Sequence, residues 1–412
     1  MNIRSPSLTR IANLDVDTPQ GHAGQLGSEP GSFQLTYSGE AKPDQAVSLL
    51  MPPRLAPYTG GALPPVFAMN LPEGFVLSEI RDRLAKVARV DPLLLLAITG
   101  DSHPIGRLTL RSRALEQLVP RGPAPAGERL EEILLWDGTH DLFHELVERY
   151  VLRSGISGIQ PKVVVPECAR ANTAELIVKT GRDEYPHLAI NEYLCMSIAK
   201  AAGLAVPEFW LSDNRELFVM RRFDVNANGG RLGFEDFAAL TARQPEQKYE
   251  GSYKMLARAI RVYVTPEHVE SALEQLFDTV ALSCLVGNGD AHLKNFGVLY
   301  THPAAGDTRL APVYDVVNTT MYLPHDSLAL TLGSSKAFAG RATLAQFGVE
   351  CGISDSDARI NHLVAAIERV MNGERSLFDD VPSLREVIER LVEVVVNGFA
   401  AMKPKSPARS EP

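Results

Sequence analysis

Along the chain the apolar residues fall at two periods. Up to about residue 70 they come in short alternating pieces, such as Ser32-Phe33-Gln34-Leu35-Thr36-Tyr37 and Val47-Ser48-Leu49-Leu50, separated by Gly, Pro and Ser. Alternation puts one face of an extended segment against a core, so this region predicts short strands and turns. From Leu77 to Ile98 the spacing becomes helical (Leu77, Ile80, Leu84, Val87, then Leu93 to Ile98). Asp91-Pro92 within it offers an N-cap followed by proline at the first helical position. Pro120 to Gly127 is rich in Pro and Gly and reads as a linker, placing a boundary near residues 115–130.

Beyond the linker, Val163-Val164-Val165, Leu176-Ile177-Val178 and Leu217-Phe218-Val219-Met220 are compact runs bounded by breakers and predict strands. Between the last two, Ile190 to Gly203 has helical spacing and ends on a glycine suited to the position after a helix. From Phe234 onward helical patterns dominate: Ser252 to Tyr263, Pro266 to Leu285, Asp355 to Met371 and Ser383 to Met402. The polar, Pro-containing end reads as disordered. The pattern predicts an α+β, bilobal chain: a β-rich subdomain over 1–125, a small lobe over 126–223, a helical large lobe over 224–402 and a tail over 403–412.

Composition narrows the function class. At 412 residues, with 45% hydrophobic and 22% charged residues, the chain is an ordinary globular protein too long for one core. A net charge of −9 argues against wrapping nucleic acid by its own field. Cys168, Cys195, Cys284 and Cys351 form no C-x-x-C pair, so they read as reduced thiols rather than a zinc site or a disulfide framework. No run of about 18 apolar residues is present, and the N-terminus lacks the apolar core of a signal peptide. The expected address is the cytoplasm, with no membrane contact.

The densest polar signal is Gly289-Asp290-Ala291-His292-Leu293-Lys294-Asn295-Phe296. Its D-x-x-x-x-N spacing is that of the catalytic loop of protein kinases, where Asp takes the acceptor proton and Asn binds metal. The bland alternative is a helix-ending loop whose Asp and Asn satisfy backbone amides. In Leu310-Ala311-Pro312-Val313-Tyr314-Asp315-Val316-Val317 one carboxylate sits in an apolar run and needs a partner, either a magnesium ion shared with Asn295 or a core Arg or Lys. Ser154-Gly155-Ile156-Ser157-Gly158-Ile159-Gln160-Pro161-Lys162 precedes a strand, and glycines there let backbone amides approach phosphate oxygens; an ordinary hairpin turn looks similar. Lys179 ends a strand and precedes a helix bearing Glu192, so an ion pair between them is conceivable. Val219-Met220-Arg221-Arg222-Phe223-Asp224 lies where a hinge between lobes would read adenine through its backbone.

In chain order these pieces are G-I-S-G-I-Q-P-K, I-V-K, N-E-Y-L-C-M-S-I-A-K-A-A-G-L, M-R-R-F-D, K-Y-E, G-D-A-H-L-K-N-F and P-V-Y-D, preceded by L-L-M-P-P-R and N-L-P-E-G. Over roughly residues 45–340 that succession closely resembles the HipA family of bacterial toxin kinases. The resemblance implies an ATP-dependent serine/threonine-protein kinase on a bilobal protein-kinase-like fold. In it Asp290 is the catalytic base, and Asn295 and Asp315 are the Mg²⁺ ligands. Ser157, Gly158, Ile159, Gln160, Pro161, Lys162, Lys179, Arg221, Arg222, Phe223, His292, Leu293, Lys294, Asn295, Tyr314 and Asp315 would line the ATP site. It further implies a protein substrate, with aminoacyl-tRNA synthetases among the family's targets, and autophosphorylation of a loop serine. Some members carry that serine where this chain has Gly155, which leaves Ser157 and Ser154 as candidates. The implied partner is a small helix-turn-helix, HipB-like antitoxin that inhibits the toxin and through which alone it meets DNA. A small-molecule or lipid kinase on the same scaffold, or a pseudokinase corepressor, are the competing readings.

Overall fold

The structure is a computed structural model and describes residues 11–85, 90–101, 103–118, 126–153, 156, 158, 160–168, 174–181, 185–226 and 228–397. The N-terminal alternation builds an antiparallel sheet of five strands, β1 (Asn13–Thr18), β2 (Gly21–Glu29), β3 (Ser32–Tyr37), β4 (Tyr58–Gly60) and β5 (Thr109–Arg111), in the order β4-β3-β2-β1-β5. Leu14, Val16, Leu26 and Leu35 point to one face and pack with Phe67 and Leu96 into a core of their own. Gly24 is required in β2, because a Cβ there would lie 2.1 Å from the Thr36 carbonyl oxygen on β3.

One expectation holds here and one changes. The helical stretch from Leu77 to Ile98 forms two helices, Gly74–Leu84 and Pro92–Thr99, the second beginning at the expected Asp91-Pro92. The break has a local cause: Pro92 restricts Asp91 to extended backbone, and Asp91 instead caps the second helix by accepting from the Leu94 amide at 2.9 Å. Val47-Ser48-Leu49-Leu50 is not a strand. The Val47 amide donates to the Tyr37 hydroxyl at 2.9 Å and the Leu49 amide to Glu235 Oε1 at 2.8 Å, so side chains take the groups a ladder would need.

The small lobe holds the antiparallel strands β6 (Lys162–Pro166), β7 (Glu175–Thr180), β8 (Phe209–Leu211) and β9 (Leu217–Arg221), ordered β6-β7-β9-β8. β6, β7 and β9 are almost wholly buried, which explains why they read as continuous apolar runs. The helix Leu188–Ala201 connects β7 to β8 and packs on the sheet, and Gly203 follows it at φ 77°. Register sets Lys162 opposite Lys179, which places two cations side by side at one end of the sheet.

The large lobe is built on the helices Tyr253–Tyr263, Pro266–Val286, Arg341–Cys351, Ser356–Gly373 and Pro382–Asn397. Ser252 and Asp355 cap two of them. It also contains a three-stranded sheet, β10 (Gly233–Asp236), β11 (Gly297–Tyr300) and β12 (Arg309–Leu310). Strands of two to four residues carry too short an alternation to be told from loop in the sequence. One continuous core runs from β6 and β7 through Leu276, Val280 and Cys284 of the central helix, so the two lobes share packing. Residues 398–412, which include the polar tail, and residues 119–125 of the expected linker lie outside the described residues. Among the described residues no helix is long and apolar enough to cross a membrane.

Candidate active site between the lobes

The central helix Pro266–Val286 stops at Gly287, whose φ of 72° turns the chain out of the helix. The loop that follows is tight. The Asp290 amide donates to Asn288 Oδ1 at 3.0 Å, the His292 amide to the Asp290 carbonyl at 2.7 Å, and the Asn295 amide to the His292 carbonyl at 2.9 Å. Glycine is favoured at 289, since a Cβ would lie 2.7 Å from the Ser327 carbonyl oxygen as well as against the Asp326 carboxylate. This loop carries Asp290 and Asn295 to the same cavity.

The Asp290 carboxylate accepts a hydrogen bond from the Tyr249 hydroxyl at 2.7 Å. Enclosure by the protein pushes its pKa up to about 6, with the Tyr249 bond opposing that rise. The side chain keeps 47% of its exposure, so solvent tempers the effect, and the group remains ionised at neutral pH. His292 beside it is neutral: burial and then the Lys248 ammonium push its imidazole down to about 3.

On the facing lobe, Lys179 donates to Glu192 Oε1 at 2.5 Å and to Asp315 Oδ1 at 2.6 Å. Glu192 is fully buried on the helix Leu188–Ala201, and it fixes the lysine from behind. Burial works against ionisation of Asp315, but the Lys179 and Lys162 ammonium groups overcome it and hold the carboxyl well below the usual range. Asp315 adopts φ 61°, a left-handed conformation that costs energy for a non-glycine residue and commonly marks a functional position. Lys162 is buried 5% exposed beside this pair, and burial lowers its pKa.

These groups line one cavity of about 580 Å³. Its polar end holds Lys162, Lys179, Asp290, Lys294, Asn295 and Asp315, and its apolar end Met69, Ile105, Val164, Ile177, Met220 and Phe223. Phe223 packs on Tyr314 with ring centroids 5.2 Å apart, and the Tyr314 hydroxyl donates to the Lys294 carbonyl at 2.7 Å. Gly158, Gln160, Pro161, Arg222 and His292 line the cavity too. Leu293 does not; it is fully buried beneath the loop. Arg221 turns away into contacts with Glu167 and Glu208, and the amides of Arg221 and Arg222 are taken by the carbonyls of Glu208 and Glu175. Ser154, Ser157 and Ile159 lie outside the described residues.

The donor set suits a hard divalent cation. Asp315 supplies an ionised carboxylate, and Asn295, on the same cavity, carries a carboxamide whose oxygen would be the ligand atom. Among those residues no cluster of three or more His, Cys, Asp or Glu exists to hold a metal by itself, so further ligands must be phosphate or water oxygens, as Mg²⁺ tolerates.

The sequence reading gave no role to several cavity residues. Glu73, from the N-terminal region, receives Lys294 Nζ at 2.5 Å and lies 3.9 Å from Lys248 Nζ. Ile105 and Met69 come from the same region, which therefore roofs the cavity. No local pattern announces a contact across more than two hundred residues. The strings K-Y-E and N-L-P-E-G were the only trace of Tyr249 and Glu73.

Arg222 is structural as well as cavity-lining. It is 6% exposed and donates to Glu175 Oε2 at 2.6 Å, Asp224 Oδ2 at 2.5 Å and the Pro104 carbonyl at 2.6 Å. Arg222→Met is expected to cost about 3–5 kcal/mol, because it strands two buried carboxylates. Urea denaturation monitored by circular dichroism measures it. Burial raises the Glu175 pKa, but Arg222 and His103 bring it from 4.5 down to about 2. The depressed carboxylate therefore stabilises the fold above about pH 4.5, and this contribution is lost as pH falls toward 2.

Comparison with known proteins places this geometry. Residues 154–373 match the model of the HipA-like C-terminal domain, and residues 14–111 that of the HipA N-terminal domain. A Sinorhizobium fredii protein named "Putative kinase Y4dM" is 27% identical over 342 residues, covering 75% of this chain and 76% of that protein. A Haemophilus influenzae protein named "Putative kinase" is 32% identical over 216 residues, 46% of this chain and 60% of its own length. Among solved structures, HipA from the Shewanella oneidensis complex of HipA, HipB and operator DNA superposes with a TM-score of 0.65 at 19% identity, over 94% of this chain and 98% of that one. The likeness in fold makes the α+β architecture kinase-like. With the C-terminal match alone spanning more than half of its 412 residues, this chain belongs to the HipA family.

Proposed function

We propose that the chain is a magnesium-dependent serine/threonine-protein kinase that transfers the γ-phosphoryl group of ATP, with Asp290 as base and Asn295 and Asp315 as the metal's protein ligands. The observation that carries this reading is the convergence of Lys179, tied to both Glu192 and Asp315, with Asp290 and Asn295 on one cavity. The adenine ring goes to the apolar end, against Ile177, Met220 and Phe223, and the phosphates go to Lys162 and Lys179. Lys179 is oriented before substrate arrives, so little reorganisation is left for the reaction. Asp290 accepts the acceptor hydroxyl's proton as its oxygen attacks the γ-phosphorus, and ADP leaves. Bound Mg²⁺ would neutralise charge on the phosphates.

The acceptor is a protein hydroxyl, with an aminoacyl-tRNA synthetase as the candidate substrate, and the consequence is growth arrest in the cytoplasm. A HipB-like antitoxin restrains the enzyme and supplies its only contact with DNA; the presence of HipB and operator DNA in the Shewanella complex supports that partner. Self-phosphorylation falls to Ser157 or Ser154, and Ser157 and Ile159 belong to the phosphate loop of this proposal.

Incubation of the purified chain with Mg²⁺ and radiolabelled ATP tests the reading. Label on serine or threonine of this chain or of an added cell extract is expected, and it should disappear when Mg²⁺ is chelated. Label appearing only in lipid or small molecules would assign a different acceptor, and no transfer at all, with ATP still bound, would favour the corepressor.

A further inference from the structure

Among the described residues the proposed base has one side-chain hydrogen bond on it, from a residue that lies outside the D-x-x-x-x-N loop. The Tyr249 hydroxyl donates to Asp290 Oδ1 at 2.7 Å. Tyr249 is itself held on three sides. Its carbonyl accepts from Lys336 Nζ at 3.1 Å, and the preceding Lys248 carbonyl accepts from the Leu293 amide at 3.1 Å. Its ring packs edge-on against His292 with centroids 5.1 Å apart. His292 Nε2 lies 3.8 Å from the same carboxylate oxygen, too far for a hydrogen bond. Among the described residues no side chain donates to Asp290 Oδ2.

We propose that Tyr249 is a positioning residue for the base: its phenol anchors Asp290 Oδ1 and turns Oδ2 toward the acceptor hydroxyl. The inference rests on the reading of Asp290 as base. A half-exposed carboxylate on a loop would otherwise rotate about χ1 and χ2, and a proton acceptor contributes only when it is within about 3 Å of the attacking hydroxyl. The same bond favours the ionised carboxylate. The groups facing Asp290 are Tyr249 and Lys248 from one segment, His292 from its own loop, Lys162 from β6 and Asp315 beyond β12, and Asp326 packs against neighbouring Gly289. Tyr249, Lys248 and Lys162 hold the proton off, whereas burial and Asp315 hold it on. Removing the phenol hydroxyl tips that balance toward the protonated, inactive form.

Tyr249→Phe keeps the ring on His292 and deletes only the hydroxyl. The expected result is a kcat for Mg-ATP turnover lowered about 10-fold with KM for ATP unchanged, because one hydrogen bond to a charged group is lost where the acceptor, not the nucleotide, is held. The acid limb of the rate profile should move to higher pH. Independently of turnover, the Asp290 carboxyl in ¹³C-aspartate-labelled protein, assigned with Asp290→Asn, should titrate at higher pH in Tyr249→Phe than in the parent chain. An unchanged kcat together with an unchanged titration overturns the inference and leaves the base assignment standing. Turnover that survives in Asp290→Ala overturns it through the base assignment itself.

Discussion

Asp290→Ala is expected to lower phosphoryl transfer by about 10² to 10⁴-fold while ATP binds with near-parent affinity. The separation follows from the geometry. Asp290 touches Tyr249 and belongs to a loop whose backbone is fixed by its own amides, whereas the cations that would meet phosphate, Lys162 and Lys179, belong to the opposite lobe. Deleting the carboxylate removes an interaction made in the transition state and leaves the ground-state contacts in place. Turnover measured beside calorimetric titration with ATP checks this, and a folded variant with near-parent turnover would remove Asp290 from the chemistry. The parent enzyme carries a second signature of the same group. Because its carboxyl is pushed up to about 6 and must be ionised to accept a proton, activity should be full above that pH and fall as pH drops through it.

Which parts of this machinery were legible beforehand follows from where the signals lie. Lys179 lies near the end of β7 and Asp290, Asn295 and Asp315 lie in or beside loops, each within a short distinctive string, and the buried strands β6, β7 and β9 are uninterrupted apolar runs. Periodicity also gave the helices Tyr253–Tyr263, Pro266–Val286, Ser356–Gly373 and Pro382–Asn397, whose apolar faces are long enough to repeat, but missed Arg341–Cys351 and the short Arg375–Asp380. It held at Leu77 to Ile98 too, where the Asp91-Pro92 start signal falls at the observed beginning of the helix Pro92–Thr99. It failed for Val47 to Leu50, whose amides are taken by Tyr37 and Glu235, the latter nearly two hundred residues away. The contacts of Glu73 with Lys294 and of Tyr249 with Asp290 were out of reach for the same reason: each acts on a loop brought to it only by tertiary packing. Arg221 and Arg222, adjacent in sequence and read together, part in the structure: Arg221 at the end of β9 reaches Glu167 and Glu208, and Arg222, just past the strand, reaches Glu175 and the cavity.

Asp315→Asn discriminates between the two partners an isolated buried carboxylate can have. Asparagine suits the site sterically: it matches aspartate in size and tolerates the left-handed backbone of φ 61°, where alanine would add strain and blur the result. What changes is charge. If Asp315 holds the metal, the amide is a poorer ligand for a hard cation, and the Mg²⁺ concentration needed for half-maximal turnover should rise by about tenfold or more. If Asp315 serves only to neutralise Lys179, the variant leaves that ammonium 3% exposed with Glu192 as its remaining carboxylate. It should then lower thermal stability while the Mg²⁺ curve keeps its midpoint. Titrating turnover with Mg²⁺ at saturating ATP, alongside a melting curve, separates the two. A shifted midpoint in a chain that melts normally assigns the carboxylate to the metal. An unshifted midpoint in a chain that melts early assigns it to the lysine, and the metal would then have to be held by Asn295 and the phosphates alone.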